Sequence, residues 1–307
     1  MSSSLARQVN AATGSVEPDA TAGRLVAELA VRLERAGIAA SRTEARDLVA
    51  AVCEAPRFWP VLEPTAALGE GVILAARIAA ERRAAGAPFA YAVQRAAFRH
   101  LTLAVDERVL IPRPETEMLV DHVLAMVRGR ADLHVLEIGT GSGAIAIALA
   151  SEANFGRVVA TDVSCGALDV ARNNAARYAR ALCTPIEFRV GSMFAPVRNE
   201  QFDVLASNPP YIAFEEAPAL PRSVRDWEPA EALMCGGDGL DITRQLIDLA
   251  PHHVRAGGVL AIEVDERRAE RVARTVLDRG GWNAVRIHKD LAGRDRFVTA
   301  CRANTSY

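Results

Sequence analysis

The chain has 307 residues, half of them hydrophobic, with 36 basic against 38 acidic side chains. That is long for one ordinary domain and comfortable for two, and it allows a large core. A net charge of −2 gives no electrostatic footprint for broad binding to nucleic acid or to a membrane surface.

Five cysteines, Cys53, Cys165, Cys183, Cys235 and Cys301, are scattered without a C-x-x-C pair, which suggests neither a disulfide framework nor a metal site. A reducing, cytoplasmic setting fits them best. Residues 1–22 are rich in Ser, Ala and Thr and lack the basic start and apolar run of a secretion signal, so they read as a disordered tail.

From residue 23 to 95 the pattern predicts a small helical domain. Leu25, Val26, Leu29 and Leu33 mark one stripe, closed by Gly37. Ser41-Arg42-Thr43-Glu44 has capping-box spacing for a second helix carrying Leu48, Val49 and Val52. A third, from about Gly71 to Arg83, carries Ile73, Leu74 and Ile78, with Gly86 beyond it. The domain has no chemistry of its own; a role in substrate recognition competes with a folding cap or oligomer contact.

Residues 96–115 predict a hairpin linker: Leu101, Leu103 and Val105 alternate, then Val109 and Ile111 follow a polar Asp106-Glu107 turn. The chain then enters Pro112-Arg113-Pro114-Glu115-Thr116-Glu117, and Leu119, Val120, Val123, Leu124 and Val127 mark a helix opening the last domain, 116–307. Glu115 and Glu117 on their own suit a plain helix N-terminus.

Residues 133–143 are an apolar strand opening into Gly139-Thr140-Gly141-Ser142-Gly143, with a helix after it. The spacing is neither the G-x-G-x-x-G of a dinucleotide site nor a P-loop, so no pyrophosphate signature is present. A second strand ends in Asp162, placed to accept hydrogen bonds from ribose hydroxyls. A nucleoside without phosphates fits both features, and S-adenosylmethionine, a methyl donor, is the commonest such cofactor.

Helices and strands keep alternating: a helix over about 167–181, strands at 186–190 and 203–208, helices at 240–254 and 266–278, and strands at 258–264, 285–287 and 296–300. The expected fold is α/β, a doubly wound, mostly parallel Rossmann-like sheet of seven strands. The fourth strand runs into Asn208-Pro209-Pro210-Tyr211, and the prolines force it to end at Ser207 or Asn208. An asparagine carbonyl beside a proline-fixed backbone carbonyl can accept both hydrogens of one planar NH2, and a tyrosine ring can stack on the conjugated group that carries it. The corner therefore reads as a holder for an amide or an exocyclic base amine during alkyl transfer. Taken alone, the same residues also suit an ordinary strand-terminating turn. Residues 212–238 read as an irregular insertion walling the site beside Tyr211.

These motifs resemble a known family. Val109 to Glu117, Gly139 to Ala146, Asn208 to Ile212, Gly237-Asp238-Gly239-Leu240 and Lys289 to Arg296 look like the HemK-type protein-(glutamine-N5) methyltransferases, over about residues 40–301. The resemblance implies methyl transfer from S-adenosylmethionine to the Gln of the Gly-Gly-Gln motif in peptide chain release factors. It implies that Gly139 to Gly143 cradle the methionine part and Asp162 the ribose, that Met193 and Asn208 border the cofactor, that Asn208 and the Pro209-Pro210 backbone hold the substrate amide, and that Tyr211 lies against its plane. No metal is implied, and a monomer without stable nucleic-acid or membrane partners is expected. Two departures stand out: Gly191-Ser192-Met193-Phe194 replaces the family's Gly-Asp-Trp-Phe, and Glu263-Val264-Asp265 lacks the usual glycine. Methylation of a ribosomal protein, amino-methylation of a nucleic-acid base and a non-catalytic binder are the alternatives.

Overall fold

A computed structural model describes residues 21–304. By their contacts the residues fall into two compact units, one ending at Arg95 and including Arg222–Trp227, the other comprising Ala96–Pro221 and Glu228 onward.

The first unit is built on three helices, α1 (Ala22–Arg35), α2 (Ser41–Val52) and α3 (Glu70–Ala84), with one-turn helices at Trp59–Leu62 and Phe89–Ala92. Its core is Leu25, Leu29 and Leu33 against Leu48, Val49 and Ile73. Three expectations change here. The tail stops short of Thr21, which bridges Ala67, and of Ala22, fully buried at the start of α1; the rest of the tail lies outside the described residues. Ser41 makes no cap, because it is already the first helical residue: Ala40 stands at the N-cap and its carbonyl accepts the Glu44 N–H at 2.9 Å, while the Glu44 side chain holds Arg83 at 2.7 Å. On α3 the buried side is Ile73, Ala76, Ala79 and Ala80, while Leu74 and Ile78 face solvent. Alanines bring helix axes close together, so here small size and not hydrophobicity marks the inner face.

In the second unit β1 (Arg95–Phe98) and β2 (Leu101–Ala104) form the hairpin. Its turn is Arg99-His100, with Arg99 in the left-handed region at φ 53°, and not Asp106-Glu107 as the alternation suggested. Asp106 instead accepts the Arg108 backbone N–H at 3.1 Å, which turns the chain locally, so Val109 and Ile111 lie in a loop. The hairpin is no bare linker: Phe98, Leu101 and Leu103 sit in the core with the next two helices, α4 (Glu117–Val127) and α5 (Ala144–Glu152). It also hangs on α6 (Cys165–Arg177) through the fully buried Asn174, whose Oδ1 accepts the Ala104 N–H at 2.7 Å and whose Nδ2 donates to Ala104 O at 3.0 Å.

The seven-stranded sheet comprises β3 (His134–Ile138), β4 (Arg157–Asp162), β5 (Ile186–Val190), β6 (Phe202–Ser207), β9 (Val254–Glu263), β10 (Trp282–Lys289) and β11 (Asp295–Arg302). Two short strands, β7 (Ile212–Ala213) and β8 (Met234–Cys235), lie outside it. Its order is β10-β11-β9-β6-β3-β4-β5, antiparallel only where β11 enters. The central strands are apolar on both sides, as a sheet covered by helices requires: Val135, Leu136, Val204, Leu205, Leu260 and Ile262 are all buried. The last two helices, α7 (Asp241–His253) and α8 (Ala269–Arg279), belong to the core cluster opposite the one containing α4 and α5.

Residues 212–238 are more regular than expected. β7 and β8 pair in parallel, Ile212 with Met234 and Ala213 with Cys235, so the excursion leaves and returns at one place. Buried Arg268 holds both ends, donating to Asp238 O at 2.7 Å and to Glu216 Oε2 at 2.8 Å. Among the described residues, no helix is long and apolar enough to cross a membrane, and no group of three or more His, Cys, Asp or Glu could hold a metal.

Candidate active site

Four neighbouring parallel strands bring the candidate residues together at their C-terminal ends. β3 lies between β6 and β4, with Ile138 opposite Ser207 on one side and Thr161 on the other, and β4 in turn pairs Asp162 with Val190 of β5. The glycine turn after β3, Asn208 after β6, Asp162 at the end of β4 and Met193 just past β5 therefore share one rim. The β6–β3 neighbours are where the strand order reverses, the crevice in which open α/β sheets bind ligands.

The glycine turn is conformationally demanding. Gly139, Gly141 and Gly143 all have positive φ, 76°, 54° and 84°. A Cβ on Gly139 or Gly141 would meet no protein atom within 4 Å, so this backbone faces open room, whereas one on Gly143 would press on Ile147 and Ala171. Backbone bonds from Gly139 and Thr140 N–H to Thr161 O lock the turn to β4, and Ser142 O accepts Asn174 Nδ2 at 2.9 Å. Asp162 braces it from the side, its Oδ2 accepting Gly141 N–H and its Oδ1 Ser164 N–H, each at 2.9 Å. Val163, the next residue along, is 64% exposed. Met193 sits in the left-handed region at φ 51°, a strained position for a side chain of its size, next to exposed Ser192. Phe194 behind it stacks on His253 at 4.4 Å.

Two buried carboxyls escaped the sequence reading. Glu137, on β3, accepts Thr140 Oγ1 at 2.7 Å and Ala146 N–H at 3.0 Å, tying the turn to the first residues of α5. Burial pushes its carboxyl up to about 7. Glu263, at the end of β9, accepts Thr116 Oγ1 at 2.6 Å and is likewise pushed up to about 7 by burial. An acid inside an otherwise apolar strand was the available signal, since such residues are seldom buried without a partner.

On the other side of β3, β6 ends at Ser207, whose Oγ donates to Ile138 O at 2.8 Å, and this seam fixes the corner against the glycine turn. Asn208 Nδ2 donates to Thr116 Oγ1 at 3.2 Å, joining the Asn-Pro-Pro-Tyr corner to the Pro-Arg-Pro-Glu-Thr-Glu loop. That loop is held in turn by buried Glu228, which accepts Arg113 Nη2 at 2.6 Å and Ile111 N–H at 3.2 Å. Pro209 is buried and Pro210 half-buried. Tyr211 is largely enclosed, its phenol pushed up to about 12 by burial, so it stays neutral. Gly239 packs on the Tyr211 carbonyl so closely that a Cβ would come within 2.6 Å of it.

Comparison with known proteins matches residues 24–93 to a PrmC N-terminal domain model and residues 114–220 to a methyltransferase small domain model. A release factor glutamine methyltransferase of Xylella fastidiosa is 38% identical over 273 residues, 89% of this chain and 96% of its own. The chain belongs to the release factor glutamine methyltransferase family. Members from Cereibacter sphaeroides and Gloeobacter violaceus are 40% and 41% identical, covering 88% and 69% of this methyltransferase and 94% and 73% of their own lengths. Among solved structures, the hMettl16 catalytic domain in complex with the MAT2A 3'UTR hairpin 6 superposes with a TM-score of 0.52 at 15% identity, covering 76% of this chain and 81% of that one; the likeness is one of fold.

Proposed function

We propose that this methyltransferase transfers a methyl group from S-adenosylmethionine to the side-chain amide nitrogen of the glutamine in the Gly-Gly-Gln motif of peptide chain release factors. The names of its relatives support the substrate. The observation that carries the chemistry is the pairing of Ile138 with Ser207, which puts an acceptor-bearing asparagine one strand away from an open glycine turn. The turn fits the cofactor: its backbone faces room that no Cβ occupies, and no P-loop lysine stands there to attract a pyrophosphate. Gly139 to Gly143 would border the methionine part, Asp162 would offer its remaining lone pairs to the ribose, and Val163 and Met193 would flank the adenine.

Bound there, S-adenosylmethionine supplies an electrophilic sulfonium methyl. The protein's part is to present the nitrogen. Asn208 Oδ1 and the proline-fixed backbone carbonyls accept the two amide hydrogens, which turns the NH2 group toward the methyl carbon and draws electron density onto nitrogen. The cofactor would give up that methyl group with loss of a neutral thioether, and the proton then in excess on the nitrogen held by Asn208 would pass to water. No strong base is required. The neutral Tyr211 ring closes one side of the amide plane.

The test is mass spectrometry of a purified release factor incubated with the protein and isotopically labelled cofactor. A labelled methyl on the Gly-Gly-Gln glutamine is expected, and its rate should fall at least roughly a hundredfold in Asn208→Ala while cofactor affinity persists, because the lost contact is aimed at the reacting atom. A label on another residue, or none, refutes the reading.

A further inference from the structure

Behind the Asn-Pro-Pro-Tyr corner runs a buried polar chain that the chemistry above leaves without a task. Glu263, 2% exposed, accepts the Thr116 hydroxyl at 2.6 Å, and Thr116, 4% exposed, receives Asn208 Nδ2 at 3.2 Å. Both bonds meet on one threonine oxygen.

A hydroxyl has a single proton to give. An ionised carboxylate can only accept, so toward Glu263 the threonine must donate. Only lone pairs then remain for Asn208, and the asparagine has to present its NH2. A side-chain amide is polar end to end, so fixing Nδ2 on Thr116 turns Oδ1 the opposite way. That is the polarity an NH2-bearing substrate needs; with the amide reversed, a donor would face a donor.

We propose that Thr116, held by Glu263, is a positioning residue that sets the polarity of the Asn208 amide and so supplies the acceptor for the substrate nitrogen. The proposal rests on the reading of Asn208 as the holder of that nitrogen.

The other groups around Glu263 decide how the device responds to pH. Arg296 of β11 and Arg113 favour the carboxylate, Glu115 opposes it, and the Tyr211 phenol lies in the same field. Burial outweighs the two cations, which is why the carboxyl is pushed up to about 7. Once protonated, Glu263 can donate to the threonine oxygen, and the threonine proton is then free to reach Asn208 Oδ1. The amide is then no longer held to one polarity, because the threonine oxygen can either donate to Oδ1 or accept from Nδ2. Turnover should therefore decline as pH falls through about 7, although Asn208 itself does not titrate.

Thr116→Val keeps the shape and removes the hydroxyl, and Thr116→Ser restores it. In the full chain acting on a release factor, Thr116→Val should lower kcat by roughly tenfold or more with cofactor affinity within about twofold, and Thr116→Ser should recover most of the rate. In Glu263→Gln the acid limb of the kcat profile should vanish, because the neutral amide no longer changes with pH.

A readout independent of the substrate is the Asn208 side-chain NH2 signal in nitrogen-15 NMR, assigned by its loss in Asn208→Ala. It should shift with a midpoint near the Glu263 value of about 7 in the wild type and stay still in Glu263→Gln. If the wild type methylates no release factor, the functional reading fails and the NMR titration decides this proposal by itself; if Thr116→Val does not fold, the Glu263→Gln comparison decides it. An NH2 signal that does not titrate, or a Thr116→Val enzyme that folds and turns over at the wild-type rate, overturns it.

Discussion

Asp162 braces the glycine turn through Gly141 N–H and the start of α6 through Ser164 N–H, and in the proposed function its remaining lone pairs would meet the ribose. Asp162→Ala should thus weaken S-adenosylmethionine binding by about 1–3 kcal/mol, the range for hydrogen bonds to a charged acceptor, as measured by calorimetry. An unchanged affinity would remove Asp162 from the cofactor site. Glu137 acts through stability. Its folded-state value of about 7 lies above the 4.5 of a free carboxyl, so the folded chain binds that proton more tightly. The contribution is fully present below 4.5 and is lost as pH rises through 7. In Glu137→Gln, which keeps an acceptor for Thr140 and Ala146, chemical denaturation between acid and mildly alkaline pH should show a flatter profile, the difference from wild type being on the order of 1–3 kcal/mol.

At the scale of elements, what was legible followed from period and punctuation. Strand, glycine turn, helix, strand, acid could be read between residues 133 and 162 because apolar runs and glycines are local signals. The end of β6 was readable because proline cannot donate to a ladder. Where local signals competed, the reading failed: the alternation of Leu101, Leu103, Val105, Val109 and Ile111 looked like two strands, but the Asp106 side chain closes its own turn and the pairing partner lies earlier, at Arg95–Phe98. Alanines on α3 gave no hydrophobic stripe, yet they form its inner face. The Thr116–Glu263 bond joins residues 147 apart, a distance at which one sequence carries no signal. The glycine turn also makes an element-level prediction. Gly143→Ala forces a side chain into a left-handed site at φ 84° and to 3.0 Å from Ile147, so it should cost about 1–2 kcal/mol from the backbone alone, seen as a lower denaturation midpoint.

For the whole molecule, charge is the discriminating property. A chain with a net charge of −2 carries no excess of positive charge to draw in a polyanion. Turnover on a protein substrate should therefore vary by no more than roughly threefold between about 50 and 200 mM salt, whereas an enzyme gripping a nucleic acid through 6–10 phosphates loses about 10³–10⁵ in affinity over that range. A steep salt dependence would revive the nucleic-acid alternative.

Asn174 ties the hairpin and the glycine turn to one side chain, since the amide that holds both polar atoms of Ala104 also donates to Ser142 O. The Ala104 N–H can trade its hydrogen for deuterium only when that shared side chain lets go. A ligand that binds only while Ser142 is held makes letting go harder by its own binding free energy. At a cofactor concentration about a hundred times its dissociation constant, exchange at Ala104 should slow by up to about a hundredfold. A short two-stranded ribbon, ordinarily among the first pieces of a protein to fray, thus becomes a clock from which occupancy of the neighbouring crevice can be read.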